Sequence, residues 1–174
     1  APFGLLRQMD PVVNLWCPSL SIADEEHLEF FREGSEVLWS YQVLAKGAGA
    51  FRFYRLSFWR LWDEAITGQG FWAYASAGGS AWNPWDEDRT DYAPVYDGDP
   101  RELIPSIRWE AWREGVEDYT LLWMLDRALE EGTCADTGRA ERALEEAREA
   151  LGAGTPSAVA SARRQVLLEL AKER

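Results

Sequence analysis

Three pairs of residues two apart, Asn14 and Trp16, Trp39 and Tyr41, and Trp72 and Tyr74, carry the side chains best suited to chemistry in this sequence. Each pair lies in a short β-branched or aromatic run, and residues two apart in a strand share one face of the pleat. If the three runs lie side by side as strands, their C-terminal ends make one ring-lined surface. Sugar rings expose C–H faces that stack on indole, while Tyr hydroxyls and Asn amides bond ring hydroxyls. Trp82-Asn83-Pro84-Trp85 would close such a pocket as a loop lid. A second reading packs the same face with side chains and leaves no room for a ligand.

Other chemistries find fewer parts. His27 is the only histidine and sits in an acidic stretch that reads as surface, so no Ser-His-Asp set can be assembled. Cys17 and Cys134 have no metal-like spacing and read as buried or reduced thiols. No metal cluster or phosphate loop is present, and no cofactor is expected. Adjacent acid pairs occur at Asp24-Glu25, Asp63-Glu64 and Asp86-Glu87. The first two fall at or within predicted helices and the third on a loop, so helix-cap or solvated roles account for them.

Composition narrows the partners. Ten tryptophans in 174 residues are more than an ordinary domain of this length carries, with core packing the commoner use of any one of them, and the net charge is −12. That field repels phosphate backbones and anionic lipid, which excludes nucleic acid and membrane surfaces and leaves a neutral ligand unpenalised. No run approaches the length of a membrane span, and no basic-then-apolar leader is visible.

The elements that must position the aromatic pairs follow from period and punctuation. Strands are predicted over 12–18, 36–43 and 71–75, with helices over 21–32 and 53–65 between them and a Gly-rich break at 67–70. Strand alternating with helix is the pattern of a parallel α/β arrangement. A long irregular stretch covers 76–105. Ser106 then caps a helix carrying Ile107, Trp109, Trp112, Val116, Tyr119, Leu122, Trp123, Leu125 and Leu129 to Gly132. Core packing is expected of Trp59, Trp62, Trp109, Trp112 and Trp123. Two more helices, over 137–151 and 157–172, would form a hairpin.

The order of Gly70-Phe71-Trp72-Ala73-Tyr74, Trp82-Asn83-Pro84-Trp85, Ser106-Ile107-Arg108-Trp109-Glu110 and Arg113-Glu114-Gly115-Val116-Glu117-Asp118-Tyr119 resembles the C-terminal catalytic-domain region of glycoside hydrolase family 123 and its uncharacterised relatives. The resemblance covers roughly Val12 to Leu129. It implies an α/β fold in which 1–132 is the last portion of a (β/α)8 TIM-type barrel and 133–174 a C-terminal helical hairpin. It also implies hydrolysis of a β-linked N-acetylgalactosamine, with the substrate's own acetamido group as nucleophile and an Asp-Glu pair assisting. In that family the pair follows an earlier strand, so it is expected upstream of this chain. The carbohydrate partner would be an N-acetylhexosamine-type sugar bound by Trp16, Trp39, Tyr41, Trp72, Tyr74, Trp82, Asn83 and Trp85. The missing N-terminal part of the barrel would be a second partner. Arg108, Glu110, Arg113, Glu117 and Asp118 have spacings that suit intrahelical and helix-to-loop ion pairs. A rival expectation is a non-catalytic carbohydrate-binding or structural module.

Overall fold

The structure, a computed structural model, describes residues 3–19, 24–34, 37–43, 49–75, 82–83, 92–98 and 102–172. Among them are six α-helices, a parallel three-stranded sheet and a separate two-stranded antiparallel pair. The protein is therefore mixed α/β. It divides into two compact units, one of residues 1–46 with 65–93 and one of 47–64 with 94–174.

The first unit holds α1 (Phe3–Met9), β1 (Leu15–Trp16), α2 (Glu25–Gly34), β2 (Val37–Val43) and β3 (Gly68–Trp72). The strands run parallel in chain order, β1-β2-β3, as alternating strand and helix predicts. β1 is shorter than expected. Pro11 opens a 3-10 turn over Asp10–Val12, where its fixed φ is favourable, and this removes Val12 from the strand. The ladder nevertheless continues past Trp16, because the Tyr41 N–H donates to the Pro18 carbonyl at 2.9 Å. β3 begins at Gly68, so the expected break at 68–70 is strand instead.

α2 is N-capped by Asp24, which accepts from the His27 N–H at 3.0 Å and pairs with His27 Nδ1 at 2.6 Å. His27 is not a surface residue as expected. Its ring stacks on Phe3 at 4.4 Å and its side chain is 18% exposed. These two hydrogen bonds to His27 hold the Asp24 carboxyl below its usual range, which keeps the cap ionised.

The second unit begins with a π-helical turn (Ala50–Arg55) that runs into α3 (Leu56–Asp63), together occupying the predicted helix. The stretch expected to be irregular contains two strands, β4 (Val95–Asp97) and β5 (Leu103–Pro105), too short to show a period. α4 (Ile107–Glu130) starts where predicted, with Ser106 Oγ accepting from the N–H groups of Arg108 and Trp109. α5 (Thr137–Ala153) and α6 (Pro156–Leu170) form the expected hairpin, capped by Asp136 and Thr155.

The core of this unit joins Trp59, Trp62, Leu122, Leu125, the α5 residues Ala140, Ala143, Leu144 and Ala147, and Val159, Ala162 and Val166 of α6. On α4 the fully buried positions are 111, 115, 118, 122, 125 and 128, a stripe at spacings of three and four. Trp123 lies one residue off it and is 50% exposed, so it does not pack in the core as expected. Trp112 is half-buried, edge-on to Phe58 at 4.7 Å.

Asp118 is on the buried stripe, and its side chain has no solvent exposure. It accepts from Arg55 Nε at 2.7 Å, Trp59 Nε1 at 2.9 Å and Arg163 Nε at 2.6 Å. One carboxylate thus ties the π-helical turn, α3 and α6 to α4. Gly115, one turn earlier, lets α4 approach this closely: a Cβ there would stand 2.4 Å from Phe58 and 3.1 Å from the Arg55 carbonyl. Of the other charged residues of this motif, Arg113 pairs with Glu110 and Glu117 along the helix, as its spacing predicts.

Replacing Asp118 by Ala would leave the buried Trp59 N–H without its acceptor and Arg55 and Arg163 with only the outer carboxylates of Glu114 and Glu117, at a cost of about 3–5 kcal/mol. Asp63→Ala, which breaks only the exposed pair with Arg148, should cost at most about 1 kcal/mol. Urea unfolding of the two variants measures this difference, and similar midpoints would remove Asp118 from its central role.

Candidate functional site

Parallel register decides which side chains share a face. Trp39, Tyr41 and Val43 of β2 stand opposite Gly68, Gly70 and Trp72 of β3, and Val37 stands opposite Leu15 of β1. Alternation puts these eight residues on one face of the sheet. That face is open: Leu15, Val37, Trp39, Val43 and Trp72 are all exposed, Trp39 at 44% and Trp72 at 53%.

The opposite face is covered. Trp16, paired with Leu38, belongs to it, and both are buried. The Trp16 ring packs against Phe31 and Phe30 of α2, with centroids at 5.1 and 6.1 Å, and its Nε1 donates to Asp10 Oδ1 at 3.4 Å. The structure therefore separates Trp16 from Trp39, Tyr41 and Trp72, which the sequence grouped with it. The offset is one residue of register, which is enough to invert a side chain.

On the open face the two glycines of β3 explain the posture of the rings. A Cβ at Gly68 would lie 2.7 Å from Cδ1, Nε1 and Cε2 of Trp39 at once. Equal distances to three atoms of the five-membered ring mean that the indole lies flat on Gly68, one face sealed by the strand and the other turned outward. Tyr41 leans the same way onto Gly70, with Cδ2 at 3.7 Å from the corresponding point. Trp72 follows in line on β3. Trp39 and Tyr41 thus lie over positions 68 and 70, with the glycines as seats, and Trp72 takes the next position of β3 on the same face. Sequence reading took these glycines for a break. Their two-residue spacing matches that of Trp39 and Tyr41, but the match has meaning only once the register is known.

The remaining predicted site residues are less connected. Tyr74 is exposed and lies two residues beyond the end of β3. Trp82 and Asn83 are exposed, and Trp85 lies outside the described residues. Asn14 is exposed and precedes β1 rather than belonging to it.

Among the described residues paired on this face there is no carboxylate, amine or guanidinium. Cys17, next after β1, is exposed, and partial burial pushes its thiol above the usual range, which leaves it protonated and a poor nucleophile at neutral pH. No group of three His, Cys, Asp or Glu side chains among the described residues could hold a metal ion. Of the acid pairs, Asp24-Glu25 begins α2 and Asp63 is tied to Arg148, while Asp86-Glu87 lies outside the described residues. No described helix is long and apolar enough to cross a membrane. The face can therefore stack and hydrogen-bond a neutral ligand, and its described residues include no acid or base.

Gly68→Ala should drive a methyl group into the Trp39 ring and destabilise the first unit by roughly 1–3 kcal/mol. Gly70→Ala, where the same methyl finds ordinary contact, should be neutral or stabilising by up to about 0.5–1 kcal/mol. Chemical unfolding followed by tryptophan fluorescence tests the contrast, and equal effects of both substitutions would contradict the seating of Trp39. No family model, curated protein or solved structure matches this chain.

Proposed function

We propose that this chain is the C-terminal segment of a glycoside hydrolase resembling family 123, and that it supplies the aromatic wall of a sugar site without the catalytic acid pair. The observation that carries the reading is the outward face of Trp39 seated on Gly68, in one row with Tyr41 and Trp72 on an uncharged surface. An indole held flat with one face open offers what the C–H face of a pyranose needs. On this reading Tyr74, Trp82 and Asn83 also contribute to the wall, as would Trp85, which lies outside the described residues.

The barrel part of the proposal draws on topology. Parallel strands in chain order, with aromatic helix residues covering one face and the other face open, are what a segment of a (β/α)8 barrel has when its remaining strands are absent. Three such strands are described where the closed barrel has eight. In substrate-assisted hydrolysis an Asp orients the acetamido group and a Glu protonates the leaving oxygen. Both described Asp-Glu pairs are at helix ends, so the reading assigns that chemistry to an earlier strand of the barrel. Tyr41 and Tyr74 are its candidates for holding the acetamido oxygen. The second reading, a carbohydrate-binding module, is favoured by the absence of any acid on the open face, since binding needs none.

On either reading the 174-residue chain binds N-acetylgalactosamine in calorimetric titration, and Trp72→Ala abolishes the signal. On both it gives only background release from an aryl β-N-acetylgalactosaminide. Clear turnover would sink the assignment of catalysis elsewhere, and no binding by the folded chain would sink the sugar wall. Restoration of turnover by added N-terminal barrel would separate the enzyme segment from the module.

A further inference from the structure

The three rings of the open face are arranged along a line, not around a point. Trp39 rests over Gly68, Tyr41 leans over Gly70, and Trp72 stands at the end of the same strand. Successive seats on β3 are two residues apart, roughly 6.6 Å at about 3.3 Å per residue in a parallel strand, so the row is roughly 13 Å long. A single pyranose ring is no larger than one indole and can cover one of these platforms. The row is longer than any one such ring can occupy.

The chemistry of the row also selects among chain-like ligands. Its described side chains are Trp39, Tyr41 and Trp72 with Leu15, Val37 and Val43 beside them, with no carboxylate, amine or guanidinium among them. The whole chain carries a net charge of −12. A sulfated or uronate-bearing glycan would be repelled by that field and would find no Arg or Lys among the described residues of the face to answer it. An uncharged glycan meets neither penalty. A peptide strand is disfavoured because the face presents rings and not a free row of backbone groups.

Resting on the module reading above, because a closed barrel would fill this face with its own side chains, we propose that this face takes a neutral oligosaccharide of at least two pyranose units laid along β3, not a single sugar in a closed pocket. Trp39 and Trp72 hold separate units, and Tyr41 bridges them with its hydroxyl available to a ring substituent. Gly68 acts as a positioning residue, because it sets the height of the Trp39 platform relative to Trp72. Chain length, rather than the identity of one ring, is then what the face reads.

Calorimetric titration of the full chain with uncharged, β-linked N-acetylhexosamine mono-, di- and trisaccharides tests this. Each added unit should raise affinity about three- to tenfold until the row is filled. Trp39→Ala should remove most of the gain from mono- to trisaccharide, while Trp39→Phe keeps part of it. Gly68→Ala should act like Trp39→Ala on the trisaccharide, with circular dichroism verifying that the variant is folded. Equal affinity for mono- and trisaccharide would overturn the extended site and leave the sugar wall standing. Binding of none of them by the folded chain would overturn both. A dimer in sedimentation that Trp39→Ala dissociates would overturn the glycan as occupant and put a second copy of the chain on this face.

Discussion

The helical unit depends on one buried carboxylate. Asp118 is shielded from water, and removing a charge from water costs several kcal/mol unless its partners are in place. Its partners come from three other places in the sequence, Arg55, Trp59 and Arg163. All three must arrive before the charge is compensated, so the interaction penalises any arrangement in which the π-helical turn, α3 or α6 slides along α4. The apolar core around Leu122, Leu125 and Ala147 provides the non-directional attraction. Asp118 supplies the direction. The surrounding pairs, Arg55 with Glu114 and Arg163 with Glu117, extend the same network to the surface, where each is worth less.

The sheet unit obeys a different constraint, the two-residue period of a strand. With Trp39 opposite Gly68, the rings of β2 fall onto a track of β3 positions that have no side chain. One step of register would put Gln69 or, in the other direction, Thr67 beneath Trp39, and either step would turn Phe71 toward the open side. The aromatic row is therefore a property of the pairing as much as of the residues. Trp16 illustrates the same rule from the other side. It is a tryptophan in a strand, as Trp39 is, but it pairs with Leu38 and so is packed under α2. Its indole serves the core, while that of Trp39 faces outward.

Much of the fold was legible because it is written in local signals. Ser106 before an apolar periodic run marked the start of α4, and the last helix, expected from 157, begins one residue earlier at Pro156 with Thr155 as its cap. β2 was evident from its β-branched and aromatic content. Failures occurred where local signals conflict or are too brief. Pro11 converted the start of the expected first strand into a 3-10 turn, and β4 and β5, at three residues each, show no period. Trp123 passed for core because helical spacing places it next to Leu122, yet an angular step of one residue takes it off the buried stripe.

The candidate site divides along the same line. The sequence by itself determined the types of chemistry available: abundant indole, no assembled metal or nucleophile set, a strong negative field, and strands bearing aromatic residues two apart. These follow from composition and from the period of a strand, which are properties of a single segment. Only the tertiary structure decided that Trp39 and Tyr41 share a row with Trp72 while Trp16 does not, and that Gly68 and Gly70 are seats and not a break. It also decided that Asp118, one acidic residue among several on α4, is the buried one. Such choices depend on pairing between segments distant in the chain, where a shift of one residue reverses inside and outside and no local pattern records which register forms.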